Sequence, residues 1–150
     1  MFGTLRVKNR FVTVFSLFCL LIFVTVCLLT FRLGAPDTVE IGGERYALRV
    51  EDDADITAFC DKCGCEVSEL FSKREITVPK HWSDSYTVYN ELQREQGFDL
   101  LPYKGKPAVE YVYTLADSET LAYLLVSDGR IIGGHLCDVD GGNLRTMVTS

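Results

Sequence analysis

The sequence predicts an α+β fold: a small antiparallel sheet with two helices, ordered β-α-β-α-β-β-β and preceded by one transmembrane helix. Three observations carry this. Phe11 to Phe31 holds no charged residue. Two later segments repeat apolar residues at helical spacing, and each stops at a glycine, Gly64 or Gly97. The last third contains three alternating apolar runs with no helical pattern between them, as consecutive antiparallel strands would.

The apolar run comes first. Its 21 residues would span roughly 31 Å as a helix, the thickness of a bilayer hydrocarbon core. Its polar members, Thr13, Ser16, Thr25 and Thr30, can bond back to their own helix. The run exceeds the apolar core of a secretory signal. Its small-residue exit, Leu33-Gly34-Ala35, is followed by Pro36 and lacks spaced alanines, so an uncleaved signal anchor is expected. Cys19 and Cys27 follow Phe18 and Val26, where lipid attachment calls for a small residue, and both read as apolar filler. Arg6, Lys8 and Arg10 precede the run with no acid among them. Such a flank stays in the cytoplasm, and Arg32 alone opposes it. The expected organisation is a cytoplasmic tail (1–10), a transmembrane helix (11–31), a linker (32–43) and an extracytoplasmic domain (44–145). The protein is then a single-pass protein of the cell membrane.

The 150-residue chain has a formal net charge of −6. From Ala35 onward 11 Lys/Arg stand against 21 Asp/Glu, a balance of −10. That field disfavours nucleic acid and anionic headgroups, and permits cationic partners or divalent metals. The length after the anchor suits one hydrophobic core and not two.

Within the domain, Tyr46, Leu48 and Val50 alternate as a strand. Asp53 or Asp55 is placed to cap a helix whose stripe is Ile56, Phe59, Cys60 and Cys63, with Gly64 just past its end. Cys65 to Val78 is extended, with an interruption expected around Ser68 to Arg74. Ser83 or Asp84 caps a second helix reaching about Gln96, its apolar face drawn from Trp82, Tyr86, Val88, Tyr89 and Leu92. Ala108 to Leu115 is a strand. Leu121 to Ser127 and Arg130 to Cys137 flank Asp128-Gly129, a strong hairpin signal. Gly133-Gly134 in the second arm implies a bulge or a close backbone approach. Asp138 to Asn143 is a loop, and the tail beyond it is expected to fray. The helices are expected on one face of the sheet.

Tyr89-Asn90-Glu91-Leu92-Gln93-Arg94-Glu95-Gln96-Gly97-Phe98-Asp99-Leu100, continued by Tyr103-Lys104-Gly105-Lys106, resembles a bacterial family called domain of unknown function 4830. Gly64-Cys65-Glu66-Val67, Tyr111-Val112-Tyr113, Leu124-Leu125-Val126 and Ile132-Gly133-Gly134 are similar to the same family. The resemblance covers roughly residues 55–140. It implies a fold and a domain that follows a membrane leader, and it implies no activity. The family pattern has an aromatic residue in the place of Cys65 and no Cys-x-x-Cys before it, so the cysteines do not carry over as a family site.

Cys60-Asp61-Lys62-Cys63-Gly64-Cys65 is the sharpest local feature, with His135 and Cys137 later. Four thiolates, or three and an imidazole, would complete a zinc site, but the second cluster is only His-x-Cys. A redox pair would need its reactive Cys at a helix N-terminus, and this pair falls at a C-terminus. Core packing and a disulfide among Cys60, Cys63, Cys65 and Cys137 are the simpler readings, with Cys137 expected within reach of the other three. Tyr89, Asn90, Gln93 and Gln96 form a polar ridge, read either as a ligand groove or as bonding to the Phe98–Gly105 loop. Asp138 to Asn143 lacks the twelfth-position Glu of a calcium loop. His81, beside Trp82, has no oriented nucleophile.

No acid–base–nucleophile set emerges. The expected function is therefore a non-catalytic binding or interaction module at the cell envelope, with no cofactor and an unidentified protein or small-molecule partner. The alternative is a metal-binding or thiol-redox domain built on Cys60, Cys63, Cys65 and Cys137.

Overall fold

The computed structural model describes residues 9–32, 37–41 and 43–148, and in the first helix it describes side chains only at 14 and 16–26. Helix α1 runs Asn9–Arg32. Its described apolar side chains, from Val14 to Val26, are exposed, and Thr25 Oγ1 donates to the Leu21 carbonyl at 2.8 Å, as a lone hydroxyl in an apolar helix should. Among the described residues no helix is long and apolar enough to cross a membrane. Much of the expected span falls outside the described side chains. So do Arg6, Lys8 and the Leu33–Pro36 exit, together with the side chains of Arg10, Cys27 and Arg32.

Asp37–Ser150 forms a separate compact unit. It is α+β, with a two-stranded and a four-stranded antiparallel sheet. The expected linker is corrected at once: β1 (Thr38–Ile41) and β2 (Glu44–Ala47) pair as a hairpin. Gly43, at φ +86°, belongs to its turn. Val39, Ile41 and Tyr46 turn into the core; the strand expected around Tyr46 is β2, while β1 lies within the expected linker.

Helix α2 (Asp53–Lys62) is capped one residue earlier than expected. Asp52 Oδ1 accepts from Ala54 N at 2.8 Å and Asp55 N at 3.2 Å, while Asp55 answers the Asp52 backbone N–H, a reciprocal box. Its stripe of Ile56, Phe59, Cys60 and Cys63 is buried as predicted. Gly64 takes φ +80°, and Cys65 N returns to the Cys60 carbonyl at 2.9 Å, closing the helix.

The main sheet is ordered β3 (Val67–Thr77), β4 (Pro107–Leu115), β5 (Thr120–Ser127), β6 (Arg130–Asp138). The expected interruption of β3 appears as two register shifts inside a continuous strand. Asp128 and Gly129 both take positive φ, forming the mirror-image turn that matches strand twist. Ile132 is the extra residue of a bulge opposite Leu125 and Val126.

Side chains alternate across a sheet, and here each face has its own core. Tyr111, Tyr113, Leu115, Ala122, Leu124, Val126, Ile131 and Leu136 join Ile56, Phe59 and Cys60 of α2. Ala108, Leu125 and Ile132 face the other way, with Val78 and Leu100. Trp82, Tyr86 and Tyr89, from α3 (Asp84–Glu95) and the residues before it, pack against this second cluster. The two helices therefore do not share one face. The tail is also corrected: Arg145 bridges Leu136 and Met147 is fully buried.

Candidate functional site

Helix α3 starts at Ser83, whose hydroxyl accepts from Tyr86 N, and ends at Gly97, φ +81°. Its inward face is more polar than its composition suggests. Asn90 is 4 % exposed, Gln96 2 %, and Gln93 fully buried, whereas Val88, expected in the apolar face, is 64 % exposed. Asn90 does fix the helix exit: its Oδ1 accepts from Leu100 N at 2.8 Å and its Nδ2 donates to Asp99 at 3.1 Å. The two glutamines reach a different place. Gln93 Oε1 accepts from Gly134 N at 2.8 Å, and Gln96 Nε2 donates to Gly134 O at 3.0 Å. Gln96 Oε1 then accepts from Met147 N at 2.6 Å.

Gly134 lies on the outer strand of the sheet, so these side chains replace a missing neighbouring strand. The rest of that edge is covered by backbone. Ile131 N donates to Leu48 O, Val50 N to Gly129 O, and Leu136 exchanges both bonds with Arg145. Gly133-Gly134 is the close approach expected from sequence. A Cβ on Gly133 would stand 2.8 Å from Gln93 Oε1, and one on Gly134 would stand 3.1 Å from the Tyr123 carbonyl. The polar ridge thus faces the sheet edge and the tail.

Cys60, Cys63 and Cys65 are brought together around the end of α2, in the core of one sheet face. Cys137 is not brought to them. Its strand neighbour Leu136 points into their core, so alternation turns Cys137 to the opposite face, beside Leu121 of β5. His135 shares the Cys137 face. All four cysteines are free thiols. Among the described residues no group of three His, Cys, Asp or Glu side chains is disposed to hold a metal ion. Burial, with neighbouring thiols, raises the Cys60 thiol far above its usual range and Cys63 to about 12, while burial and the Asp61 carboxylate raise Cys65 to about 11. Cys65 Sγ lies 3.2 Å from the Met147 carbonyl and Cys137 Sγ 3.2 Å from the Gly142 carbonyl, so each acts as a thiol donor.

His135 has a role that spacing does not reveal. Its Nδ1 lies 3.0 Å from Tyr89 Oη, and its ring stacks on Tyr123 at 4.6 Å between centroids. Burial lowers its pKa to about 4 and raises that of Tyr89. A neutral imidazole paired with a neutral phenol is a packing device. In the Asp138–Asn143 loop, Arg145 occupies Asp138 at 2.7 Å and Gly142 N bonds Asp140.

Two concave places among the described residues bear on binding. One, about 570 Å³, lies across the ends of β3, β4 and β5 between Glu75 and Asp128. The other, about 480 Å³, is bounded by the loop before α3, by α3 itself and by the short 3-10 turn Leu101–Tyr103. Lys80, His81, Trp82, Asn90, Glu91, Arg94 and Lys104 line it. Lys104 Nζ sits 4.1 Å from the Trp82 ring centre, and Trp82 Nε1 donates to Pro79 O at 2.9 Å.

The fold so described is a small α+β domain with one sheet edge closed by a helix's amide side chains. Residues 61–136 match the family described as Domain of unknown function (DUF4830), and the chain belongs to that family. The matched segment runs from the last turn of α2 to Leu136 of β6. It therefore includes both glutamines and the Gly-Gly pair, and omits Cys60, the β1–β2 hairpin and the tail. No curated protein and no solved structure matches the chain.

Proposed function

We propose that the protein is a single-pass membrane protein whose acidic domain acts outside the cytoplasm as a non-catalytic binding module. The observation that carries this reading is the uncharged run Phe11 to Phe31, lying within one continuous helix whose described apolar side chains are exposed. An apolar surface of that extent calls for lipid, and the basic residues before it favour an inside N-terminus. The binding role is supported by how the domain's reactive groups are used. The oxygens of the buried amides Asn90, Gln93 and Gln96 accept from backbone, His135 is held neutral against Tyr89, and the Cys60, Cys63 and Cys65 thiols are held protonated. The pKa directions of the cysteines, and the division of the set between two sheet faces, count against the metal or thiol-redox alternative.

Paired reporters test the orientation. An alkaline phosphatase fused after Ser150 should be active and a fluorescent protein at the same place dark. The reverse pattern would place the domain in the cytoplasm and sink the reading.

A further inference from the structure

We propose that the cleft between the loop before α3, α3 and the 3-10 turn binds a phosphoryl dianion, free phosphate or a phosphate monoester. This deepens the binding-module reading and rests on it.

The charge distribution is the first argument. The domain has nearly two acids for each base, and five of its bases are paired: Arg49 with Glu51, Lys73 with Asp53, Arg74 with Glu110, Arg130 with Asp37 and Arg145 with Asp138. Lys80, Arg94 and Lys104 line the cleft together. Among the described residues none of the three pairs with a carboxylate. Six of the domain's bases have no carboxylate partner among the described residues, and three of those six gather around this one concavity. Glu91 is the acid of the lining, which leaves a local balance of +2. A dianion matches that balance, while a monocarboxylate would leave a charge uncompensated. Arginine and lysine N–H groups are also the usual donors to phosphoryl oxygens.

The second argument is that two of the three bases, Lys80 and Lys104, are held in place. The Lys80 stem lies against Gly105, where a Cβ would stand 2.7 Å from Lys80 Cγ. Lys104 rests on the Trp82 face, and Trp82 is tied to the Pro79 carbonyl. Asn90, almost fully buried, lines the cleft with one amide hydrogen given to Asp99. The other remains for a ligand oxygen. Side chains ordered before binding lose less entropy on contact.

Trp82 is the only tryptophan of the chain, so its emission reports this cleft in the intact protein. Full-length protein in non-ionic detergent at pH 8 is titrated with inorganic phosphate, and separately with glycerol phosphate, at ionic strength held constant with sodium chloride. The expected result is a saturable change with phosphate, with a midpoint in the millimolar range or below. Arg94→Gln should raise that midpoint about tenfold, the loss of one charge-assisted bond, and so should Lys80→Gln, with unchanged thermal unfolding. A response to both ligands assigns an ester-tolerant site, and a response to phosphate alone assigns the free ion. No saturable change, a change that chloride reproduces, or midpoints untouched by both substitutions would overturn the proposal. Orientation in the membrane is read independently from the reporter fusions, so failure here and failure there are distinguishable.

Discussion

Gln96 shows how much one buried side chain can hold together. It joins α3 to Gly134 of the sheet edge and to Met147 of the tail. Gln96→Leu keeps the volume and strands a buried carbonyl and a buried N–H, each costing about 1–3 kcal/mol. Chemical denaturation should show a loss of about 3 kcal/mol. Gly133→Ala should cost about 2 kcal/mol by overpacking, because Gln93 is fully buried and tied to Gly134 N, and cannot swing away. His135 gives a pH signature. Its pKa is about 4 in the fold against about 6.5 in an unfolded chain. Between those values the unfolded state binds a proton that the folded state refuses, so stability falls as pH drops from about 6.5 to about 4 and no further below. The loss is on the order of 3 kcal/mol. Denaturation midpoints of wild type and His135→Gln across that window should diverge by this slope; parallel curves would show that His135 does not titrate as described.

At the scale of elements, α3 separates what the sequence shows from what it hides. Its start at Ser83 and stop at Gly97 were legible because capping and left-handed exits use particular residues. Its inward face was not, because helical periodicity ranks Val88 above Asn90 or Gln93, and only the unpaired edge of β6 makes amides the better choice. Accordingly, Val88→Ser should leave the thermal midpoint unchanged, while Tyr89→Ala should lower stability by about 3 kcal/mol through loss of the His135 and Tyr86 contacts. The Asp128-Gly129 hairpin and the α2 stripe were equally legible, since each is a local pattern. Of the first hairpin only β2 was legible, from the alternation at Tyr46; the four residues of β1, beside Pro36 and the Gly42-Gly43 pair, read as linker. The side of the sheet on which Cys137 sits follows from the strand register, which no spacing to Cys60–Cys65 discloses. The candidate site was legible only in fragments: Lys80, Arg94 and Lys104 are far apart in sequence, and the chain's overall acidity points away from a basic cleft.

For the whole molecule, the two sheet edges are treated differently. The β6 edge is closed by residues 48–50, the glutamines and Arg145. On β3, the register shifts and the charged residues Glu69, Lys73, Arg74 and Glu75 are devices that discourage edge pairing. Both edges are thereby closed to further strands, and in the proposed reading the apolar run before the domain is its means of attachment. Buried thiols make a direct test of location practical: Cys60, Cys63 and Cys65 are buried and held protonated, Cys137 is buried, and all four should stay shielded from alkylation at neutral pH in the folded protein. A Glu95→Cys substitution, at an exposed position on α3, then offers one reactive thiol on the domain. Intact cells are treated with a membrane-impermeant maleimide, and the label at position 95 is measured by peptide mass spectrometry before and after lysis. The account predicts equal labelling in both samples; labelling that appears only after lysis would contradict it.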